Sequence, residues 1–273
     1  GGCVQGIGRK MVMEDVSKTR IYGENVDIDG SQVKKLYNNR SDRNGNRPVD
    51  APTVLCSDTD PGNIEAWTME GLERWFPSFR LDGGSVVLEI GFGTGRMSKY
   101  ITPVAAEYVG IDYAESFYDT FRKRDDILKK ENTQLFNLSL EQFTEEYQER
   151  FRGKFNRVFL SGGVFMYIND RAAKKCVEQL AGMLQKSCII YVSEPVALEK
   201  RLTLNSFYSE AIQDHYSAIY RTVGEYKDLF SPFLEHGFAL KTCGEFFEND
   251  FKKMKETKQW IFLMERTDRE EQE

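Results

Sequence analysis

The stretch Val87–Thr102, VLEIGFGTGRMSKYIT, places Gly91, Gly93 and Gly95 within five residues, directly behind an apolar run. This pattern reads as a buried strand turning tightly into a helix. Such a turn suits a phosphate, another part of a nucleotide, or no ligand at all. A dinucleotide fingerprint needs GxGxxG, and here the third glycine comes one residue early, with Arg96 behind it. A P-loop needs GK[ST], which does not follow. The loop therefore allows close approach of a ligand but fits a pyrophosphate poorly.

Two carboxylates flank the loop. Glu89 lies inside the apolar strand, where a carboxylate is costly unless it accepts hydrogen bonds, here from loop amides or a cationic ligand. Asp112 ends the next apolar run, YVGID. Its two oxygens match both hydroxyls of a ribose, and an Asp there equally caps the helix starting at AES.

Outward from these runs, SVVLEI, EYVGID, TQLFNL, RVFLS and CIIYVSE alternate with helical patterns such as ESFYDTFRKRDDILKK and RAAKKCVEQLAGMLQK. Alternation of this kind implies a doubly wound, mainly parallel sheet, with ligands at the carboxyl ends of its strands. FALKTC and KQWIFLMER close the chain as a hairpin with one antiparallel member. Upstream, GSQVKKLYNNR puts Val33, Leu36 and Tyr37 on one helical face with Ser31 as cap, and NIEAWTMEGLERWF reads as a second helix. Between them, Arg40–Gly62 reads as an irregular loop.

The 273 residues suit one large domain with additions, and 13% aromatic content predicts a core or pocket rich in Phe and Tyr. Five scattered cysteines without CxxC spacing and only two histidines, His215 and His236, give no basis for a structural zinc site or a disulfide framework. A net charge of −6 makes nucleic acid an unlikely partner and favours a small molecule. No apolar stretch reaches a membrane span, so a cytoplasmic protein is expected.

Taken in order, VVLEIGFGTGRMSKYI, YVGIDYAESFYDTFRKR, FNLSLEQF, FNRVFLSGGVFMYIND and SCIIYVSEPV resemble the successive motifs of class I S-adenosylmethionine-dependent methyltransferases. The resemblance spans roughly Gly83–Pro195, and Thr222–Arg266 more loosely. It implies S-adenosylmethionine as methyl donor and S-adenosylhomocysteine as product. Gly91, Gly93 and Gly95 would line the methionine part, with Glu89 joining the cofactor set. Asp112 would hold the ribose, Tyr113 the adenine face, Ser139 and Leu140 the adenine edge, and Ser161 and Gly162 the methionine amino group or the substrate entry. Ser139 departs from the acidic residue common at its position. KKLYNNR resembles a Tyr-x-x-Arg element, which makes Tyr37 and Arg40 candidates for the cofactor carboxylate.

SGGVFMYIND is not the [DN]PP[YFW] of members acting on base or glutamine amides, so the chain is similar to the small-molecule branch. There Phe165 and Tyr167 would face the acceptor. The insertion SEPVALEKRLTLNSFYSEAIQDHYSAIYRT adds Glu194, Arg201 and Arg221 as acceptor ligands, the two arginines for an anion, and His215 as base. The same residues also suit a surface helix with buried stems.

The expected fold is α/β: a Rossmann-like methyltransferase fold with a doubly wound, seven-stranded, mainly parallel sheet, its last strand antiparallel, and an N-terminal helical lid. Residues 1–20 are read as a flexible N-terminus or tag remnant, and 21–82 as a helical cap. Residues 83–267 form the cofactor-binding domain, with a helical insertion at about 196–221, and 268–273 are a charged tail. The expected reaction is O-methylation of a biosynthetic metabolite or saccharide. N-methylation, an RNA or protein acceptor, and cofactor binding without catalysis are the alternatives, and the oligomeric state stays open.

Overall fold

The computed structural model describes residues 16–43, 61–128, 131–209, 214–249 and 255–268. The expected N-terminal segment up to residue 15, most of the Arg40–Gly62 loop and the tail from 269 lie outside them.

The described strands are β1 (Arg20–Tyr22), β2 (Val86–Ile90), β3 (Glu107–Ile111), β4 (Thr133–Phe136), β5 (Phe155–Ser161), β6 (Leu184–Ala197), β7 (Leu202–Ser209), β8 (Asp214–Tyr220), β9 (Ala239–Glu245) and β10 (Thr257–Arg266). Seven form one sheet in the order β4-β3-β2-β5-β6-β10-β9. The pairs among β2 to β6 are parallel, and β10 runs antiparallel to both β6 and β9. The doubly wound sheet with its last strand reversed is therefore as the sequence implies.

Strand periodicity divides the core into two layers. Leu88 and Ile90 of β2 face one side, with Val158, Leu160, Ile190 and Val192, and are covered by the Leu140–Tyr147 and Asp170–Ala181 helices. Val87 faces the other side with Tyr108, Phe159, Ile189 and Tyr191, beneath Ile64, Trp67 and Phe79. Glu89 shares the parity of Val87 and so enters this second layer.

The segment expected to be a helical insertion at about 196–221 is instead the β7–β8 hairpin, which pairs with β1 in a separate three-stranded sheet. Leu202, Leu204, Tyr216 and Ala218, at alternate positions of the two strands, pack on one face against Leu36 and Met166. The N-terminal region is likewise not wholly helical, since β1 lies against this hairpin. The helix Gly30–Arg43 buries Val33 and Tyr37 against Phe117 and Ile219. Asp29, rather than Ser31, caps its start by accepting the Ser31 N–H at 2.9 Å.

Candidate active site

The sheet order reverses between β3-β2 and β5-β6, and a cavity of about 380 Å³ opens there at the strand ends. Its walls come from the loop after β2 (Gly91, Gly93), the end of β3 (Asp112, Tyr113), the segment Leu138–Gln142, the turn Ser161–Val164 with Tyr167 and Ile168, and the helix start Gly30–Lys34 with Tyr37. This volume is within the usual range for small-molecule sites.

The glycine loop is shaped by close approach. Gly91 has φ +75°, and a Cβ there would come 2.8 Å from Val164 Cγ2. Gly95 has φ +89°, and a Cβ would overlap the Phe121 ring, so it serves packing and does not line the cavity. Gly91 N–H donates to the Ile111 carbonyl at 2.8 Å, which pins the loop to β3.

Asp112 lies in the cavity wall with one carboxylate oxygen accepting Gly93 N–H and the other Ala114 N–H, each at 2.9 Å. The Ala114 bond closes a turn just ahead of the helix Glu115–Phe121, whose N-cap position is Ala114 without a side-chain cap, so Asp112 shapes the turn and does not cap the helix. Each oxygen keeps a second acceptor site for a ligand hydroxyl. Burial pushes the carboxyl up to about 6, against the opposing pull of the two amides.

Glu89 does not reach the cavity or the loop amides. Its carboxylate accepts from Ser98 Oγ and Tyr108 OH, each at 2.7 Å, because strand parity directs it into the second core layer. Burial raises it to about 7, opposed by these hydrogen bonds and by Arg96.

Tyr113, Ser139, Leu140, Ser161, Gly162, Tyr37 and Tyr167 all line the cavity. Ser139 is engaged in a capping box, accepting Gln142 N–H at 3.2 Å while the Gln142 side chain accepts the Ser139 N–H. Arg40 lies on the Gly30–Arg43 helix, with its side chain outside the described residues. Four phenols form a chain that starts in the wall and leads away from it: Tyr37 to Tyr167 at 2.6 Å, Tyr167 to Tyr216 at 3.0 Å and Tyr216 to Tyr220 at 3.4 Å, with either oxygen able to donate in each pair.

The other expected acceptor ligands lie elsewhere. Phe165 packs into the core against Phe230. Glu194 is buried and accepts backbone amides. Arg201 is held by Asp170, Glu225 and Asn25, and Arg221 by Asp170 and two carbonyls, so neither arginine faces the cavity. His215 is exposed on β8, its ring edge-on to Tyr208 and away from the cavity. Sequence reasoning missed Ser31, Lys34, Phe117, Glu141, Gly163 and Val164. The last two adjoin predicted positions, whereas the helix start is brought in by packing alone.

The residues fit an adenosyl ligand with an amino-acid tail. A Cβ at Gly162 would meet no protein atom within 4 Å and would stand in open space at the cavity wall. Asp112 supplies the acceptor a ribose needs, and Leu138 and Leu140 provide an apolar wall.

Residues 87–187 match the family described as "Methyltransferase domain". No curated protein matches the chain. Among solved structures, an S-adenosylmethionine-dependent methyltransferase from Leishmania major is 16% identical with a TM-score of 0.60, covering 88% of this chain and 87% of that one. A phosphoethanolamine N-methyltransferase from Haemonchus contortus, solved with phosphoethanolamine and S-adenosylhomocysteine, is 14% identical with a TM-score of 0.61. It covers 88% of this chain and 50% of that one. The [4+2]-cyclase SpnF is 12% identical with a TM-score of 0.61, covering 90% and 99%. At these identities the likeness is one of fold, and the cyclase shows that this fold also hosts other reactions. Among the described residues, no helix is long and apolar enough to cross a membrane.

Proposed function

We propose that this chain, a class I S-adenosylmethionine-dependent methyltransferase, methylates a hydroxyl of a small biosynthetic metabolite or saccharide. Bound S-adenosylmethionine supplies a methyl group on a positive sulfur that leaves as a neutral thioether. The chain's own part is to align, to exclude water and to manage one proton. Asp112 holds the ribose hydroxyls, the backbone at Gly91, Gly93 and Gly162 admits the methionine part, and Tyr113 and Leu140 flank the adenine. The helix Gly30–Arg43 closes the cavity and limits the acceptor to a small molecule.

The phenol chain is the observation that supports an acceptor that must lose a proton, as a hydroxyl does. An attacking hydroxyl must release its proton, and His215 is too remote to take it. Tyr167 oxygen receives that proton as its own passes to Tyr216 and on to half-buried Tyr220, along hydrogen bonds that run in either direction, and Tyr220 releases one proton to solvent water.

The test has two stages. S-adenosylmethionine raises the melting temperature and NAD does not; the reverse would overturn the cofactor site. A screen of hydroxylated and amine acceptors, followed by S-adenosylhomocysteine release, then yields turnover with the hydroxylated set. Turnover with amines alone would replace oxygen by nitrogen as the acceptor atom. Binding without turnover on any acceptor would make the chain a cofactor-binding protein.

A further inference from the structure

A turn at the end of β5 forms part of the cavity wall, and two charged side chains with no place in the cavity hold it from behind. Glu194, fully buried on β6, accepts the N–H groups of Val164 at 2.6 Å, Phe165 at 2.7 Å and Met166 at 3.3 Å, and the Tyr226 hydroxyl at 3.1 Å. Arg221, which follows β8, donates to the carbonyls of Phe165 at 2.7 Å and Ile168 at 2.6 Å, and to Asp170. The amides of the turn thus end on a carboxylate and its carbonyls on a guanidinium. Burying two charges is expensive, and apolar replacements often match or exceed such groups in stability. Their placement therefore calls for a role beyond stability.

The turn reaches both sides of the cavity. Val164 packs close to where a Cβ on Gly91 would fall, so the turn and the glycine loop meet there. Tyr167 holds Tyr37 of the closing helix on one side and Tyr216 of the hairpin on the other.

We infer that Glu194 and Arg221 are positioning residues. From outside the site they fix the Val164–Ile168 turn, and through it both the glycine loop and the phenol chain. Ligand affinity then depends on a carboxylate and a guanidinium that no ligand touches. This rests on reading the cavity as the cofactor site.

The experiment compares the full chain with Glu194→Gln, Glu194→Ala and Arg221→Lys, and with Leu180→Ala, a core truncation at the far end of the Asp170–Ala181 helix, as a destabilised control. S-adenosylhomocysteine affinity is measured by calorimetry at a temperature where all are folded. Amide hydrogen exchange is followed in peptides covering 91–97 and 162–168 without ligand. Glu194→Ala and Arg221→Lys weaken binding by about tenfold or more, the equivalent of roughly 1.4 kcal/mol. Glu194→Gln, which keeps one acceptor oxygen, falls between them and the parent. Both peptides lose protection in these variants, while Leu180→Ala loses thermal stability but keeps its affinity within about twofold. Unchanged exchange at 91–97 and 162–168 in Glu194→Ala and Arg221→Lys overturns the inference, as does an affinity loss no larger than that of Leu180→Ala. If the parent does not bind S-adenosylhomocysteine, the cofactor reading fails, and the exchange data still decide the positioning role.

Discussion

The carboxylate of Asp112 accepts the backbone N–H of Gly93 at 2.9 Å, so the group facing the cavity at the end of β3 also ties down the glycine loop after β2. Removing it acts twice. Asp112→Ala weakens S-adenosylhomocysteine binding by about 1.5–3 kcal/mol, the size of a charge-assisted hydrogen bond. It also lowers the stability of the free protein, because two buried amides lose their acceptor. Calorimetry and chemical denaturation separate the two effects. Unchanged affinity with lowered stability would reduce Asp112 to a tie between the glycine loop and the turn after β3.

Gly91 offers a steric test of the same loop. With φ at +75° and Val164 Cγ2 in the path of any Cβ, alanine must strain the backbone and displace the turn. Gly91→Ala costs about 1–3 kcal/mol of stability and reduces S-adenosylhomocysteine affinity by more than tenfold. A variant that binds as the parent does would show that the loop and turn move independently.

Strand ends were easier to read than the surroundings of buried charges. Gly91, Gly93 and Asp112 follow apolar runs whose direction is set locally, so their arrival at one crevice follows from the alternation of strand and helix. Arg221 gave no such signal, since its guanidinium meets the Phe165 carbonyl across 56 residues of sequence. An arginine satisfied at that distance looks, in sequence, like one waiting for an anion. Glu194 is misleading in the same way. Its same-face neighbours on β6, Val192 and Val196, are apolar, and the returning turn and the Tyr226 hydroxyl meet its charge. Leu202, Leu204, Tyr216 and Ala218 alternate along the two strands of the hairpin, but Thr203, Ser217 and Ile219 beside them are buried as well, so no clean alternation of burial marks the strands. The hairpin's interleaved Arg, Tyr and Glu residues also fit a helical face, and that reading was the wrong one.

Glu89 predicts a particular dependence of stability on pH. Burial raises its carboxyl from 4.5 to about 7, so between these values the folded chain keeps a proton that the unfolded chain has lost. The resulting stability is complete below pH about 4.5 and is lost as pH rises past about 7. Glu89→Gln cannot titrate and retains an oxygen for Ser98 and Tyr108. Urea unfolding of both proteins from pH 5 to 8 shows the parent losing stability relative to Glu89→Gln, by roughly 3 kcal/mol at most. A constant difference between the two curves would mean that Glu89 titrates normally.

His215 and Tyr167 distinguish the two sources of a proton acceptor. His215 is exposed on β8 and outside the cavity, so His215→Ala changes stability by no more than about 0.5 kcal/mol and leaves S-adenosylhomocysteine affinity intact. Tyr167→Phe removes the oxygen between Tyr37 and Tyr216, costing about 0.5–1.5 kcal/mol of stability while the ring keeps its packing. With an acceptor from the screen, Tyr167→Phe lowers kcat far more than KM, and His215→Ala changes neither. The opposite pattern, with activity lost in His215→Ala and kept in Tyr167→Phe, would return the base to the hairpin and require β8 to move toward the cavity during turnover.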